Sequence, residues 1–131
     1  MSNRHVLMAD LVDDAAAVAL YREHHRQVWP EVVESLRRAG VEQLDVHLLG
    51  RRLVMIVELK AGLDLARTFA AHVASSARVA EWERLMKSLQ QPAPGAAPGE
   101  WWTAMEPVFT LNGGEPAPIG AVRATDQTRK P

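Results

Sequence analysis

The sequence contains no cysteine. Disulfide bridging and thiolate chemistry are therefore excluded, and the composition fits a reducing compartment. Phenylalanine and tyrosine are scarce, two and one residues, beside four tryptophans. Neither sign of charge is in excess: 15 Lys and Arg stand against 16 Asp and Glu. That removes the electrostatic footprint of nucleic-acid or anionic-membrane binding. No apolar run approaches the ~20 residues of a membrane span. Met1 to Arg4 lead into the chain without a signal-peptide core, so a cytoplasmic location is the default expectation. GxGxxG, P-loop, GxSxG and zinc spacings are all missing, which argues against nucleotide, cofactor and metal chemistry.

What is present is enough for one domain. The 131 residues are 47% hydrophobic, ordinary for a soluble fold with its own core. The pattern assigns a single domain to residues 1–111. A tail of Gly, Pro and charged residues over 112–131 is not expected to fold alone. His5 to Leu11 reads as a first strand. Asp13 and Asp14 offer an N-cap for a helix. Val18, Tyr21, His25, Val28, Val32 and Leu36 then recur at spacings of three and four along one stripe. Pro30 interrupts that stripe and is expected to kink it or to open a second helix, with Gly40 as the stop.

Leu44–Leu49 and Leu53–Leu59 flank Gly50-Arg51-Arg52 and form a hairpin pattern. Apolar residues on both faces of Val54 to Val57 mark a central strand that wants cover on both sides. Two helical segments follow, Leu63–Val73 and Arg78–Leu89, broken near Ser75-Ser76. A Pro/Gly-rich loop over 91–99 leads to a last strand, Glu100–Leu111, whose Pro107 argues for an edge or a bulge. This order, strand–helix–strand–strand–helix–strand, predicts an α+β, ferredoxin-like βαββαβ domain: a four-stranded antiparallel sheet with helices on one face. The bare second face predicts a homodimer packed sheet to sheet, a dimeric α/β barrel.

One stretch concentrates the chemistry: Tyr21, His25 and Trp29 sit four residues apart on the predicted helix, just before Pro30. Imidazole titrates near neutral pH and both gives and takes protons. His25 is therefore either a proton-transfer group or a half-buried histidine satisfied by a backbone carbonyl. His24 points off the stripe. The five histidines, His5, His24, His25, His47 and His72, show no compact metal-ligand spacing. Tryptophan faces pack on sugar C–H groups, so Trp29 and Trp82 are either ligand contacts or core fillers.

The run Tyr21-x-x-x-His25-x-x-x-Trp29-Pro30-Glu31 resembles that of the L-rhamnose mutarotases. Supporting matches are Ile56-Val57-Glu58-Leu59, Ala74-Ser75, Trp82 with Met86, and Met105-x-x-Val108-Phe109-x-Leu111. The resemblance spans about His5 to Leu111. It implies a homodimeric enzyme that interconverts the α and β anomers of a free deoxysugar without metal or cofactor. Carried onto this chain, it implies His25 as the catalytic, proton-transferring residue that protonates the ring oxygen, and Tyr21 and Trp82 as substrate contacts, with Trp29 beside them. Two positions depart from the family pattern. Glu83 stands where a second consecutive tryptophan is expected, and Leu44 where a tyrosine is. The resemblance therefore implies L-rhamnose, L-fucose or another aldose, and Trp101 or Trp102 is a candidate to replace the lost ring. Fold analogy keeps two rivals open: a cofactor-free monooxygenase or haem-degrading enzyme of the dimeric α/β-barrel type, and a non-catalytic sugar-binding module.

Overall fold

A computed structural model describes residues 3–111, so the tail assigned to 112–131 lies outside the described residues. The elements run β1 (Arg4–Leu11), α1 (Ala15–Arg26), α2 (Pro30–Ala39), β2 (Val41–Leu49), β3 (Arg52–Leu59), α3 (Leu65–Val73), α4 (Ala77–Leu89), β4 (Gln90–Gln91) and β5 (Thr103–Ala104). Each helix starts where its sequence provides a start. Asp14, Asp64 and Ser76 accept from the backbone N–H of Ala16, Arg67 and Val79 respectively. Such caps satisfy donors that the first turn leaves orphaned. Pro30 opens α2 at a position where no N–H is needed. The 21–36 stripe is thus two helices with a break at Gln27–Trp29, the second of the two outcomes expected at Pro30. Gly40 ends α2 with φ 108°, and a Cβ there would run into the Leu63 side chain.

The sheet is antiparallel, in the order β2-β3-β1 with β4 and β5 on the outer side of β1. This is the ferredoxin-like arrangement. On β3, Leu53, Met55, Val57 and Leu59 are buried under the helices. They meet Leu44, Val46 and Leu48 of β2 and Leu7 and Ala9 of β1 in register. The alternate residues, Val6, Met8, Val54 and Ile56, form the other face and are only half-buried. No helix among the described residues is long and apolar enough to cross a membrane.

The last strand is a correction. Glu100–Leu111 pairs with β1 only at Thr103–Ala104, extended by Met105 N–H donating to the Val6 carbonyl. Continuing that register would set Glu106 opposite His5 and Pro107 opposite Arg4. There β1 begins and proline has no N–H to give. The same edge is paired farther along by Gln90–Gln91, opposite Leu11 and Asp10. The fourth strand is therefore two short pieces on one edge, and residues 92–102 loop out between them.

The core under the helices falls into two clusters. One gathers Leu11, Tyr21, Leu53, Trp82, Met86 and Leu89; the other gathers Leu7, Val41, Met55, Val57 and Leu59. Leu36, Val46 and Trp102 pack against both.

Candidate active site

Between the helices and the sheet lies a cavity of about 400 Å³, within the range of roughly 300–1,000 Å³ typical of small-molecule sites. Its lining includes Tyr21 and His25 of α1, Trp82 of α4 and Gln90 of β4, and also Leu44, Phe69 and His72. Arg37, Glu42 and Gln43, all exposed, also border it.

The α1 register makes the first group. Tyr21 and His25 are one turn apart, with ring centroids 4.3 Å from each other. His25 Nδ1 lies 2.9 Å from the Tyr21 carbonyl oxygen. A carbonyl only accepts, so Nδ1 carries the proton, and in the neutral ring Nε2 is left with its lone pair. Of the two readings of His25 open in the sequence, the half-buried, carbonyl-satisfied one describes its Nδ1, and that bond leaves the other nitrogen free. Burial lowers the His25 pKa below 6.5, the Tyr21 carbonyl opposes this, and His24 adds to the lowering. The neutral base is therefore the form present at pH 7.

Tyr21 is 5% exposed. Burial pushes its hydroxyl up to about 12, against the pull of the Gln90 hydrogen bond and with a further rise from the Glu83 charge. Gln90 Nε2 donates to the Tyr21 hydroxyl oxygen at 3.4 Å, and Gln90 Oε1 accepts from Trp101 Nε1 at 2.9 Å. With its oxygen engaged as an acceptor, Tyr21 retains its own O–H to donate.

Trp82 presents its ring edge-on to His25 at 5.6 Å and to Trp29 at 5.0 Å. Trp29 itself is outside the cavity lining. It precedes Pro30, and its ring touches Trp82 and also carries the Arg78 guanidinium, 3.5 Å from the ring centre. The structure thus joins Tyr21, His25 and Trp82 in one cavity and sets Trp29 against Trp82, outside the lining. His24 lies outside, its ring centroid 6.1 Å from that of Trp82.

The departures fall on the lining too. Leu44 and Glu83 both border the cavity, and Glu83 pairs with Lys87 at 3.9 Å. Of the two loop tryptophans, Trp102 enters the lining, whereas Trp101 holds Gln90. Sequence reasoning missed Gln90, which continues the every-fourth-residue row of Trp82 and Met86. It also missed His72, which follows Leu65 and Phe69 along the buried side of α3. Among the described residues no three His, Cys, Asp or Glu side chains are grouped to hold a metal ion.

A single antiparallel sheet under one layer of helices, with a polar-tipped apolar cavity between, defines a ferredoxin-like α+β domain with room for a small molecule. Comparison with known proteins narrows this. The model of the L-rhamnose mutarotase family matches residues 4–111. The chain is 44% identical over 105 residues to an L-fucose mutarotase of Xanthomonas campestris pv. campestris, covering 79% of this chain and 83% of the relative. It is 30% identical over 91 residues to an L-rhamnose mutarotase of Burkholderia cenocepacia, covering 70% and 83%. The crystal structure of an L-rhamnose mutarotase from Formosa agariphila superposes with a TM-score of 0.58 at 21% identity, covering 82% of this chain and 97% of the other. The chain belongs to the L-rhamnose mutarotase family, a family of isomerases that interconvert sugar anomers.

Proposed function

We propose that this protein interconverts the α and β anomers of free L-fucose, with His25 as the proton-transfer group. The observation that carries this reading is the 2.9 Å bond from His25 Nδ1 to the Tyr21 carbonyl, which leaves an unprotonated Nε2 in a cavity walled by Trp82. The choice of L-fucose rests on the higher identity to the L-fucose mutarotase than to the L-rhamnose mutarotase. Leu44 and Glu83, which depart from the rhamnose pattern, agree with it.

Anomer exchange moves one proton from the anomeric hydroxyl to the ring oxygen. The bond from C1 to the ring oxygen breaks and a C1=O double bond forms. The aldehyde turns, and reversal of the steps closes the other anomer. A neutral imidazole suits the first half: Nε2 takes the anomeric proton as the ring opens and hands it to the ring oxygen. His25 therefore begins as a base, where the resemblance had it begin as the donor. With its pKa near 12, Tyr21 is a poor source of protons but a sound hydrogen-bond donor. It stabilises the negative charge growing on the ring oxygen until the proton arrives. Trp82 offers its apolar surface to the sugar, and contact with Trp29 helps to fix the Trp82 ring.

The open sheet face, with Val6, Met8, Val54 and Ile56 half-buried, supports a homodimer packed through that face. The lack of cysteine agrees with a cytoplasmic setting. Saturation-transfer NMR between the anomers of L-fucose and of L-rhamnose tests the activity directly. Faster exchange of L-fucose with the wild type, returning to the buffer rate in His25→Ala, is the expected result. Haem titration without a Soret shift would set aside the haem-degrading rival, and binding without faster exchange would favour the non-catalytic module.

A further inference from the structure

His72 is 5% exposed, borders the cavity and plays no part in the proton transfer just described. Its ring lies edge-on to Phe69 at 6.2 Å, and Phe69 packs against the second core cluster whereas Tyr21 and Trp82 belong to the first. Three hydrogen bonds fix its protonation. Ser75 Oγ donates to the His72 carbonyl at 2.7 Å. A serine hydroxyl has one proton, so in the 2.9 Å contact between Ser35 Oγ and Ser75 Oγ it is Ser35 that donates. Ser35 has then spent its proton, and the 2.8 Å contact between its Oγ and His72 Nδ1 must be an Nδ1–H donation. The ring of donors runs His72 to Ser35 to Ser75 and back to the His72 carbonyl. The weak 3.5 Å contact from Ser35 to that carbonyl does not change this. Burial lowers the His72 pKa, in keeping with a neutral ring.

The consequence is a bare Nε2 on a buried ring. It has no hydrogen-bond partner among the described residues, and a buried acceptor left unpaired is costly. We infer that His72 Nε2 accepts a hydrogen bond from a ligand hydroxyl remote from the anomeric carbon, and so selects which sugars the cavity holds. The ligand class is a polyhydroxylated ring with a hydroxyl donor at that position; an analogue with hydrogen there leaves Nε2 unpaired and is rejected. This rests on the sugar reading of the cavity, and its test separates the two.

The experiment compares L-fucose with its analogues that each lack one hydroxyl, in wild type and in His72→Phe. In wild type, one analogue is expected to show a KM about tenfold above that of L-fucose, the scale of one lost hydrogen bond. In His72→Phe the KM for L-fucose rises to match that analogue, whose own KM stays put, while kcat on L-fucose holds within about twofold. Unchanged KM ratios at every position would overturn the assignment. A second readout needs no variant: ¹⁵N NMR of the imidazoles in wild type. The expected state is Nδ1–H with a bare Nε2 whose resonance moves toward the hydrogen-bonded range as L-fucose is added. An Nε2–H tautomer, or a resonance unmoved at saturation, would likewise overturn it. A wild type that interconverts L-fucose while both readouts stay fixed removes the His72 role alone. A wild type that neither binds nor interconverts L-fucose or L-rhamnose removes both proposals.

Discussion

Gln90 links Tyr21 to Trp101: its amide nitrogen donates to the tyrosine oxygen at 3.4 Å and its amide oxygen accepts from the indole at 2.9 Å. The indole N–H only donates, so the orientation of the amide is set by the loop and passed on to the tyrosine. Tyr21 thus receives one hydrogen bond and is free to give one. Gln90→Leu should lower kcat for anomer exchange about tenfold, roughly 1.4 kcal/mol of barrier. Tyr21→Phe should cost at least as much. The double variant should be no slower than Tyr21→Phe alone, since both changes act through one hydroxyl. Saturation-transfer rates on the four proteins measure the coupling; fully additive losses would contradict it.

The pH profile follows from His25. Burial holds its pKa below 6.5, so the base form persists at neutral pH and is lost only on acidification. After subtraction of the buffer rate, exchange should be flat above pH 7 and fall through one ionisation below 6.5. A profile that rises as pH drops toward 5 would mean that imidazolium, not imidazole, is the working form.

Stability should move with pH in the same window. His25 and His72 both have lowered pKa values in the fold. Between the folded value and 6.5 the unfolded chain binds the extra protons. Stability therefore rises with pH across this interval and is fully present above it. The melting temperature should drop as pH falls from 6.5 toward 5, and less steeply in His72→Phe. Calorimetry across that range provides the check.

The stack of Arg78, Trp29 and Trp82 predicts unequal costs. Trp82 is 6% exposed in the core, so Trp82→Ala should destabilise by about 3–5 kcal/mol. The Arg78 guanidinium sits over the Trp29 ring and is 44% exposed in its side chain. Arg78→Ala should cost only about 0.5–1 kcal/mol. Denaturant melts of the two variants would show the contrast.

The dimer reading concerns Ile56, central on the open face of β3 and opposite Val6. Ile56→Glu would bury a charge in a sheet-to-sheet interface, so it should shift the protein to monomers in light scattering. An unchanged mass would place the interface elsewhere.

Local rules carried most of the fold in the sequence. The cap at Asp14, the break near Ser75-Ser76, the proline start at Pro30, the glycine stop at Gly40 and the 44–59 hairpin all act within a few residues. The Tyr21–His25 pair was legible for the same reason, since one helical turn fixes it. The broken fourth strand was not. Its limits depend on where β1 begins and on which of two segments takes each end of its edge, both long-range matters. Spacing puts Trp29 on the His25 stripe, whereas with the break before Pro30 its ring meets Trp82 and is absent from the cavity lining. His72 and Ser35 are 37 residues apart, and nothing local announces that they meet.

The two-piece edge strand separates two jobs that one continuous strand would have to share. Gln90–Gln91 and Thr103–Ala104 each hold their own register on β1, so the stretch between them answers to neither. Its length and sequence are open to variation while the sheet stays as it is. Yet that stretch ends in the two tryptophans that set Gln90 and wall the cavity. A lineage could retune which sugar fits by rewriting this one excursion, leaving the proton-transfer helix untouched.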